Sequence, residues 1–309
     1  MTALDAVSVH TPAFRVPLED LAEPLGLTDI QVRLFRRFHG LDRIRFDPDR
    51  SLGGLLRAAV DGLTALRGNE HRVRYVIHGR AMPVVVPYPD NPLHDLCREL
   101  GLAHALTFTV THQSCASGLL AVELAGRLLT GDPAGDALAL VLTGEKAFTR
   151  DARLLPGTSI FGEGASACLV SANGDRDRLL AYASAQRGEF DGEFGDLAER
   201  FQREYRASLA DVMRRAVADA GLALDDIRLV LPHNVNVVTW QRLCHLIDFP
   251  VDRVLLSNVP EHGHLFCSDA FANYRTARER ELLREGDHYL VATVGAGAGA
   301  TFSAMVFRH

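Results

Sequence analysis

The sequence predicts an α/β protein built from two similar halves, and two observations lead to this prediction. Short strand-like runs alternate with longer helical patterns, which is typical of a sheet with helices on its faces. In addition, residues 137–145 and 162–170 resemble residues 289–294 and 297–306, because each half ends with a strand, a glycine turn and another strand. A duplicated α/β unit is the simplest explanation of this repeat.

Strands are predicted where short apolar or alternating runs are bounded by turn residues, and helices where apolar residues recur at helical spacing. In chain order, the predicted strands are 74–78, 106–111, 137–143, 165–171, 227–232, 253–257, 289–294 and 301–307. The predicted helices are 53–66, 91–100, 116–129, 197–220, 239–245 and 269–284. Gly221 ends the longest helix, where a left-handed glycine is expected. The polar segment 173–178 is the predicted seam between an N-terminal half, 1–173, and a C-terminal half, 174–309.

The composition argues against several classes of protein. A formal net charge of −6 disfavours a nucleic-acid-binding protein, which usually needs a basic surface. The longest apolar runs are far shorter than the roughly 20 residues of a membrane helix. Residues 1–16 lack the pattern of a secretion signal, so a cytoplasmic protein is expected. The five cysteines include no Cys-x-x-Cys pair, which indicates neither a disulfide framework nor a zinc module.

Cys115 is the first candidate for chemistry. A strand that ends near Thr111 and a helix that begins at Ala116 or Ser117 would place its sulfur at a helix N-terminus, where free N–H groups and the helix dipole favour a thiolate. The following helix is apolar nearly all round, so it should be buried and hold the cysteine rigidly. A buried cysteine is also common packing material. The residues alone leave both interpretations open.

Two further segments carry candidate residues. The strand 229–232 delivers His233 and Asn236 to its C-terminal end, which is where open α/β sheets bind ligands. The loop 260–269 carries a second group of polar side chains, namely His262, His264, Cys267 and Asp269. These could ligate a metal ion, although their spacing matches no standard zinc module. A metalloenzyme is therefore the least favoured hypothesis.

Together these segments resemble the thiolase superfamily, and within it the ketoacyl-ACP synthase III-like condensing enzymes. Five motifs occur in the family's order: a cysteine before a buried helix, a Gly-Asp-Gly-Ala strand pair, a His-x-x-Asn strand end, a Gly-Asn turn and a C-terminal glycine turn. The matching positions are Cys115, 162–165, His233 with Asn236, Gly263 with His264, and 295–299. The resemblance implies a thiolase-like fold with five layers, αβαβα, and acyltransferase activity of the type found in fatty acid or polyketide-type specialised metabolism.

The resemblance also implies roles for these residues. Cys115 would be acylated by a phosphopantetheine-linked thioester of acyl carrier protein or coenzyme A, with no further cofactor and no metal. His233 would handle protons and donate hydrogen bonds, with Asn236 as a supporting residue. The backbone N–H groups of Cys115 and Gly297 would form the oxyanion hole, which stabilises the charge that develops when sulfur attacks a thioester. A homodimer paired along strand 106–111 is expected.

The sequence departs from the family in two places. His264 stands where typical type III synthases carry asparagine, and Asp269 follows five residues later. Asp269 either makes a nearby histidine a better base or caps the helix 269–284. The segment 36–45 lacks the tryptophan that stacks on adenine in coenzyme A-using relatives, so a carrier-protein donor is favoured. A basic patch for an acidic carrier would involve Arg36, Arg37, Arg214 and Arg215, unless these arginines simply form solvated helix faces.

The resulting hypothesis is a ping-pong enzyme with an acyl-Cys115 intermediate and a small-molecule acceptor. Decarboxylative condensation with a malonyl-type carrier to a 3-oxoacyl product is preferred, since two imidazoles suffice for it and it is the commoner chemistry of the family. The alternative is transfer of the acyl group to an alcohol or amine without decarboxylation. A catalytically silent partner subunit is a hypothesis of a different class, and the presence of both Cys115 and His233 argues against it.

Overall fold

The computed structural model describes residues 2–133, 135–191, 194–297 and 299–309, with side chains of the helix that begins at 194 described from residue 199 onward. Nine strands form the main sheet. They are β1 (Ala3–His10), β2 (Val73–Gly79), β3 (Leu106–Val110), β4 (Leu138–Glu145), β5 (Gly164–Ser171), β6 (Arg178–Arg187), β7 (Ile227–Pro232), β8 (His288–Gly297) and β9 (Gly299–Arg308). Their order across the sheet is β7-β8-β9-β6-β1-β5-β4-β2-β3.

Seven longer helices cover these strands in the described chain. They are α1 (Asp29–Arg37), α2 (Leu52–Asp61), α3 (Pro92–Glu99), α4 (Ser117–Thr130), α5 (Phe194–Asp219), α6 (Val237–Ile247) and α7 (Asp269–Glu279). Shorter helical segments are Leu18–Leu21, Ala22–Leu25, Thr64–Leu66, Glu70–Arg72, Ser114–Ala116, Arg150–Arg153, Gly188–Phe190, Leu224–Asp226, Val251–Arg253, Val259–His262 and Phe266–Ser268. Two small hairpins pair Arg15–Pro17 with Arg43–Arg45 and Leu154–Leu155 with Ser159–Ile160.

A similar order of elements occurs twice, except that the described part of the second set has no counterpart of strand β3. The first five strands of the chain follow the order β1-α2-β2-α3-β3-α4-β4-β5, and the rest of the chain follows β6-α5-β7-α6-α7-β8-β9. In both sets a parallel pair of strands is followed by an antiparallel neighbour. In the first set β2 is parallel to β4, and β4 is antiparallel to β5. In the second set β7 is parallel to β8, and β8 is antiparallel to β9. The two sets meet through the pairing of Ala3 with Arg178. The division at residues 173 and 174 itself stays a prediction.

Three apolar clusters separate the layers. One lies between α2, α3 and the strands of the first set, and another between α5, α6 and the strands of the second set. The third and central cluster joins residues of α4 and α7 to strands of both sets, such as Ile77, Leu231 and Phe307. The helices α4 and α7 therefore lie between the strands of the first set and those of the second set. The two sets form the two β layers of an αβαβα architecture, joined by the pairing of Ala3 with Arg178. The residues directly before these helices are consequently buried, namely Cys115 and Ala116 before α4 and Cys267 and Ser268 before α7.

Most predicted strands are confirmed, and the differences have physical reasons. The predicted strand 253–257 is wrong: it makes a single parallel bridge, Val230 with Val254, because the chain turns at once through hydrogen bonds from the N–H groups of Leu256 and Val259. The predicted helix 269–284 ends at Glu279, and Glu281 adopts a positive φ of 53°. Gly221 has the expected left-handed conformation, with φ of 73°.

Strands β1 and β6 and helix α1 were not predicted from the sequence. Both strands have mixed exposure, and their apolar residues do not form a continuous run. Strand β3 lies at the edge of the sheet, where the predicted dimer contact would need it, and Leu106 is 60% exposed. The dimer itself stays a prediction. Across the described residues, none of the helices combines the length and apolar character that a membrane crossing requires.

Candidate active site

Cys115 lies in the short helical turn Ser114–Ala116, directly before α4. Ser114 has a positive φ of 48°, which is uncommon for a residue other than glycine. Three hydrogen bonds hold this turn: Ser114 N–H donates to Thr111 O at 2.8 Å, Ser114 Oγ donates to Ala296 O at 2.9 Å, and Cys267 Sγ donates to Ser114 O at 3.4 Å. The predicted position of Cys115 at the start of a buried helix is confirmed.

The turn packs closely against strand β8. A Cβ atom at Gly295 would lie 1.9 Å from the carbonyl oxygen of Gln113, so only glycine lets the two backbones approach this closely. At Gly297, the predicted oxyanion residue, a Cβ atom would be 3.8 Å from the nearest atoms of Ser114. The close approach is thus made by Gly295. Gly297 lines the cavity beside Cys115, and its oxyanion role stays a prediction.

His264 forms a short hydrogen bond with Asp269. Its Nδ1 donates to Asp269 Oδ2 at 2.5 Å, and both side chains are almost completely buried. Burial lowers the pKa of His264, but the Asp269 carboxylate and the Cys115 thiol, together with hydrogen bonds to both, raise it to about 10. His264 is therefore a charged imidazolium at neutral pH, held between an acid and the candidate nucleophile.

Asp269 does not cap the helix that it begins. Its carboxylate accepts four hydrogen bonds, from His264 Nδ1, Leu265 N, Asn234 N and Asn234 Nδ2, at 2.5 to 3.1 Å. The first turn of α7 has no side-chain cap hydrogen bond. Of the two interpretations that the sequence left open, the structure therefore supports the contact with histidine.

His233 follows β7 and is also buried. Its Nδ1 is 3.4 Å from Ala292 O, and its Nε2 is 2.5 Å from Tyr205 Oη. Burial and the neighbouring charge of His264 lower the pKa of His233 to about 3, so this imidazole is neutral at physiological pH. The ring centroids of His233 and His264 are 6.1 Å apart. The two imidazoles that the sequence singled out thus lie near each other, with His233 neutral and His264 positively charged.

Tyr205 is a residue that the sequence did not reveal. It lies on α5, and its ring packs edge-on against Phe201 and Phe302. Burial, and then the negative charge of the Cys115 thiolate, raise the pKa of Tyr205, so that the phenol keeps its proton. A tyrosine at an inward position of a long amphipathic helix looks like ordinary core material in a sequence. No motif marks it.

Asn236 lies at the start of α6. Its amide oxygen accepts from Thr239 N at 2.7 Å and so caps α6, and its amide nitrogen donates to Thr158 O at 3.1 Å. It caps α6 and bonds Thr158, which lines the cavity, and its predicted supporting role in catalysis stays a prediction. The asparagine that contacts the buried acid is Asn234, which holds Asp269 and accepts from Asn273 Nδ2 at 2.9 Å.

Glu145 is a second buried acid near the site. It ends β4, and its carboxylate accepts from the backbone N–H groups of Ala81 and Met82, each at 2.7 Å. Burial raises the pKa of Glu145 to about 7. Ala81 and Met82 line the cavity, so Glu145 fixes one of its walls. Its position at the end of a predicted strand is the one sequence signal that could have indicated it.

The candidate nucleophile, the two imidazoles and Tyr205 open onto one cavity of about 420 Å³. Its polar lining consists of Cys115, His233, His264 and Tyr205 together with Thr111, His112, Ser114, Asp151, Thr158, Gln202 and Thr239. Its apolar lining includes Met82, Leu155, Phe161, Phe201 and Phe266. Phe161 stacks on His264 with a centroid distance of 4.7 Å and on Phe266 at 4.2 Å. The cavity has the size and apolar character that suit an acyl chain.

The other predicted residues lie outside this cluster. Arg36 is paired with Asp42 at 2.7 Å and with Glu19, while Arg214 and Arg215 donate to the carbonyl oxygens of Leu246 and Ser184. Arg37 is exposed on α1. Among the described residues that line the cavity, none of these arginines occurs, and the carrier patch stays a prediction.

The loop that suggested a metal ion is arranged for other contacts. His262 is buried beside Arg45 and Arg275, whereas His264 faces Asp269 and Cys267 donates to the backbone of Ser114. Within the described ranges, no group of three or more His, Cys, Asp or Glu side chains is arranged to hold a metal ion.

Comparisons with known proteins point to one group of enzymes. The family described as 3-oxoacyl-[acyl-carrier-protein (ACP)] synthase III C terminal matches residues 217–309. The β-ketoacyl-[acyl-carrier-protein] synthase III of Rhizorhabdus wittichii is 27% identical over 228 residues, which are 68% of this chain and 69% of that protein. The aligned sequences thus extend well beyond the matched family region.

Solved structures match over nearly the whole chain. The 3-oxoacyl-[acyl-carrier-protein] synthase III of Aquifex aeolicus superposes with a TM-score of 0.82 at 18% identity, covering 100% of both chains. The acyltransferase ChlB3 superposes with a TM-score of 0.86 at 20% identity, covering 99% of this chain and 97% of the other. The predicted thiolase-like fold is thereby confirmed.

Proposed function

We propose that this chain, a β-ketoacyl-[acyl-carrier-protein] synthase III-like acyltransferase, takes an acyl group from a pantetheine thioester onto Cys115 and passes it to an alcohol or amine without decarboxylation. One observation carries the proposal: Cys115, His264 and Asp269 form a continuous thiol–imidazole–carboxylate series inside an apolar cavity. A nucleophile, a base and a residue that orients the base are the parts that acyl transfer needs.

In the first step the Cys115 sulfur, as the thiolate of an ion pair with the His264 imidazolium, attacks the thioester carbonyl, and a new C–S bond forms. The imidazolium of His264 gives its proton to the sulfur of the departing pantetheine as the old C–S bond breaks. Asp269 favours the charged form of His264 before the step and fixes its Nδ1–H afterwards. The products are acyl-Cys115, a free pantetheine thiol and a neutral His264.

In the second step the neutral His264 serves as the base. An acceptor hydroxyl or amine attacks the acyl-Cys115 carbonyl, its proton moves to His264, and the C–S bond breaks to release an ester or amide. The charged His264 beside Cys115 is then restored. Because Asp269 is present to stabilise the imidazolium, proton abstraction from an acceptor is favourable at this histidine.

Decarboxylative condensation is the second candidate, and the proximity of the two imidazoles supports it. Sequence reasoning prefers this reaction, in which both histidines would donate hydrogen bonds to the carbonyl of a malonyl thioester. The contacts of His233 support transfer instead, because its Nε2 is already engaged by Tyr205 Oη at 2.5 Å. For His233 Nε2 to donate a hydrogen bond to a malonyl thioester, its hydrogen bond with Tyr205 would have to break.

The donor that we propose is a thioester of an acyl carrier protein, as the names of the relatives suggest for those proteins. The absence of a tryptophan from residues 36–45 supports this choice over free coenzyme A. A place in polyketide-type specialised metabolism is part of the same proposal.

Mass spectrometry after incubation with acyl carriers and acyl-coenzyme A tests the proposal. We expect an acyl adduct on the wild-type protein and none on Cys115→Ala. Cys244→Ala is the matched control, since Cys244 lies on α6 in a different apolar cluster, and it should keep the adduct. Equal adducts on Cys115→Ala and wild type would overturn the proposed nucleophile.

The same acylated protein separates the two reactions. Addition of a malonyl carrier should release no carbon dioxide if transfer is the native reaction, whereas an alcohol or amine acceptor should remove the acyl group from Cys115. Stoichiometric carbon dioxide with a 3-oxoacyl product would establish condensation in its place.

A further inference from the structure

The Tyr205–His233 pair indicates which second substrate the cavity accepts. We infer that the acceptor is a primary amine, whose two hydrogens are received by His264 and by Tyr205 Oη at the same nitrogen. This inference rests on the proposed transfer function and names the acceptor class that the proposal leaves open between alcohol and amine.

The contacts of His233 determine the direction of its hydrogen bonds. The carbonyl oxygen of Ala292 can only accept, so Nδ1 of His233 carries the proton that faces it. A neutral imidazole has one N–H, and Nε2 is therefore an acceptor. It follows that Tyr205 O–H donates to Nε2 across the 2.5 Å contact.

This direction leaves Tyr205 with only lone pairs for the cavity. Its single hydrogen is committed to His233, and the phenol does not ionise at neutral pH because burial and the Cys115 thiolate raise its pKa. Tyr205 Oη therefore selects a group that donates a hydrogen bond. A thioester carbonyl or an ether oxygen would meet lone pairs and be repelled.

Tyr205 and His264 flank His233 in the cavity that contains the reacting sulfur: the His233 ring centroid is 6.1 Å from the Tyr205 ring and 6.1 Å from the His264 ring. The charge of Cys115 acts on both side chains, and all three residues line the same cavity. In this inference the attacking atom of the acceptor lies in this shared cavity, between His264 and Tyr205. A simple alcohol has one hydrogen and can satisfy either His264 or Tyr205, whereas a primary amine satisfies both.

The atoms balance without a further reactant. The amine nitrogen forms the new C–N bond, the C–S bond to Cys115 breaks, and one N–H proton passes to His264. The second N–H stays on nitrogen throughout and is held by Tyr205 Oη. The product is a secondary amide, and Cys115 and His264 return to their initial charge states.

Discharge of a defined acyl enzyme tests the inference. Hexanoyl-N-acetylcysteamine would load Cys115, and the rate of acyl loss to benzylamine would be compared with that to N-methylbenzylamine, which has one N–H fewer. We expect the ratio of the two rates to fall about three- to tenfold in Tyr205→Phe, the effect of one neutral hydrogen bond. Comparing this ratio between wild type and variant removes the steric difference between the amines that is common to both proteins.

Tyr75→Phe is the matched control, since it removes a tyrosine hydroxyl that bonds Asp132 far from the cavity. Its rate ratio should equal that of the wild type. Acyl loading of Tyr205→Phe, measured by mass, shows whether this variant is folded, and a second variant, Tyr205→Met, should lose the preference as well. An unchanged ratio in both variants, or an acyl enzyme that neither amine discharges, would overturn the inference. Failure to load Cys115 at all would instead overturn the proposed function.

Discussion

Asp269 is a buried carboxylate that accepts four hydrogen bonds, one of them from the charged histidine His264. The donors from Asn234 and Leu265 stabilise the ionised form in a dry environment, where an unpaired carboxylate would be protonated. Asp269 contacts His264 and not the sulfur, so it is a positioning residue. It converts an imidazole that burial alone would keep neutral into an imidazolium.

Asp269→Asn removes the charge with little change in shape. We expect acyl transfer to slow by about 10²- to 10⁴-fold, the usual contribution of general acid–base catalysis. Because the carboxylate is the main cause that raises the pKa of His264 to about 10, the alkaline limb of the pH profile should move to lower pH. The measurement is the rate of Cys115 acylation between pH 6 and 10.

Asp61→Asn, which alters a surface pair with Arg57, is the control and should leave the profile in place. If the alkaline limb of Asp269→Asn coincided with that of the wild type, the charge of Asp269 would have no part in the reaction, whatever the variant's stability.

At this scale the sequence predicts the chemistry of single residues better than their pairing. Cys115, His233 and His264 are found from their motifs, and the structure brings them to one cavity. Tyr205 and Asn234 are missed, because their roles come from contacts between elements that are distant in the chain. The His-x-x-Asn motif also marks Asn236, and in the structure this residue, three positions after His233, caps α6.

Two elements hold the nucleophile from opposite sides: the start of α4 and the strand β8 beneath it. Gly118 lets α4 approach the turn at Cys267, where a Cβ atom would be 3.0 Å from a carbonyl oxygen. Gly295 lets β8 pass under Gln113. The position of Cys115 therefore depends on two glycines that touch neither substrate nor base.

Gly295→Ala should disturb this packing. The added Cβ atom would clash with the backbone of Gln113, so we expect a loss of about 1–3 kcal/mol in the free energy of unfolding, as for other overpacked sites. Acylation of Cys115 should fall as well, because the turn that carries it must shift. Urea unfolding and the acylation rate measure the two effects.

Gly188→Ala is the matched comparison, since a Cβ atom there meets nothing within 4 Å. It should change neither quantity appreciably. If Gly295→Ala and Gly188→Ala had the same stability and the same acylation rate, the close packing of β8 against the nucleophile turn would not matter for Cys115.

The elements that the sequence predicts correctly are those with continuous apolar runs, such as β4, which is buried along its whole length. Strand β6 is missed because its exposure changes along the sheet, which weakens the pattern that marks a strand. The false strand 253–257 has the composition of a strand, and local turns limit it to one bridge. Composition therefore predicts the propensity to form a strand, and local turn hydrogen bonds decide how long the strand is.

At the scale of the whole molecule, burial lowers the pKa of several histidines in the described chain, and the pKa values of three of them lie far below the ordinary value. Burial lowers the pKa of His78 to about 4, and that of His233 and His262 to about 3, against about 6.5 in an unfolded chain. A lowered folded pKa means that stability is fully present above pH 6.5 and is lost as the pH falls toward these values. The protein should therefore lose stability in acid well before its ordinary carboxylates are protonated.

His262→Gln tests this dependence. Below pH 6.5 each such histidine contributes a slope of about 1.4 kcal/mol per pH unit to the free energy of unfolding, so the variant should have a shallower slope by that amount. Urea unfolding at pH 7, 6 and 5 measures it, with the exposed His104→Gln as control. Parallel slopes for wild type and His262→Gln would contradict the assigned neutral state.

The residues of the site are supplied by distant parts of the chain. Cys115 precedes α4, whereas His264 and Asp269 precede and begin α7, and Gly295 belongs to β8. On the ribosome, the cysteine emerges long before the acid–base pair that activates it. A nascent or truncated chain therefore carries an ordinary thiol, and reaction with cellular thioesters begins only after synthesis is nearly complete. Covalent labelling of Cys115 by a thioester would consequently serve as a chemical signal of finished folding.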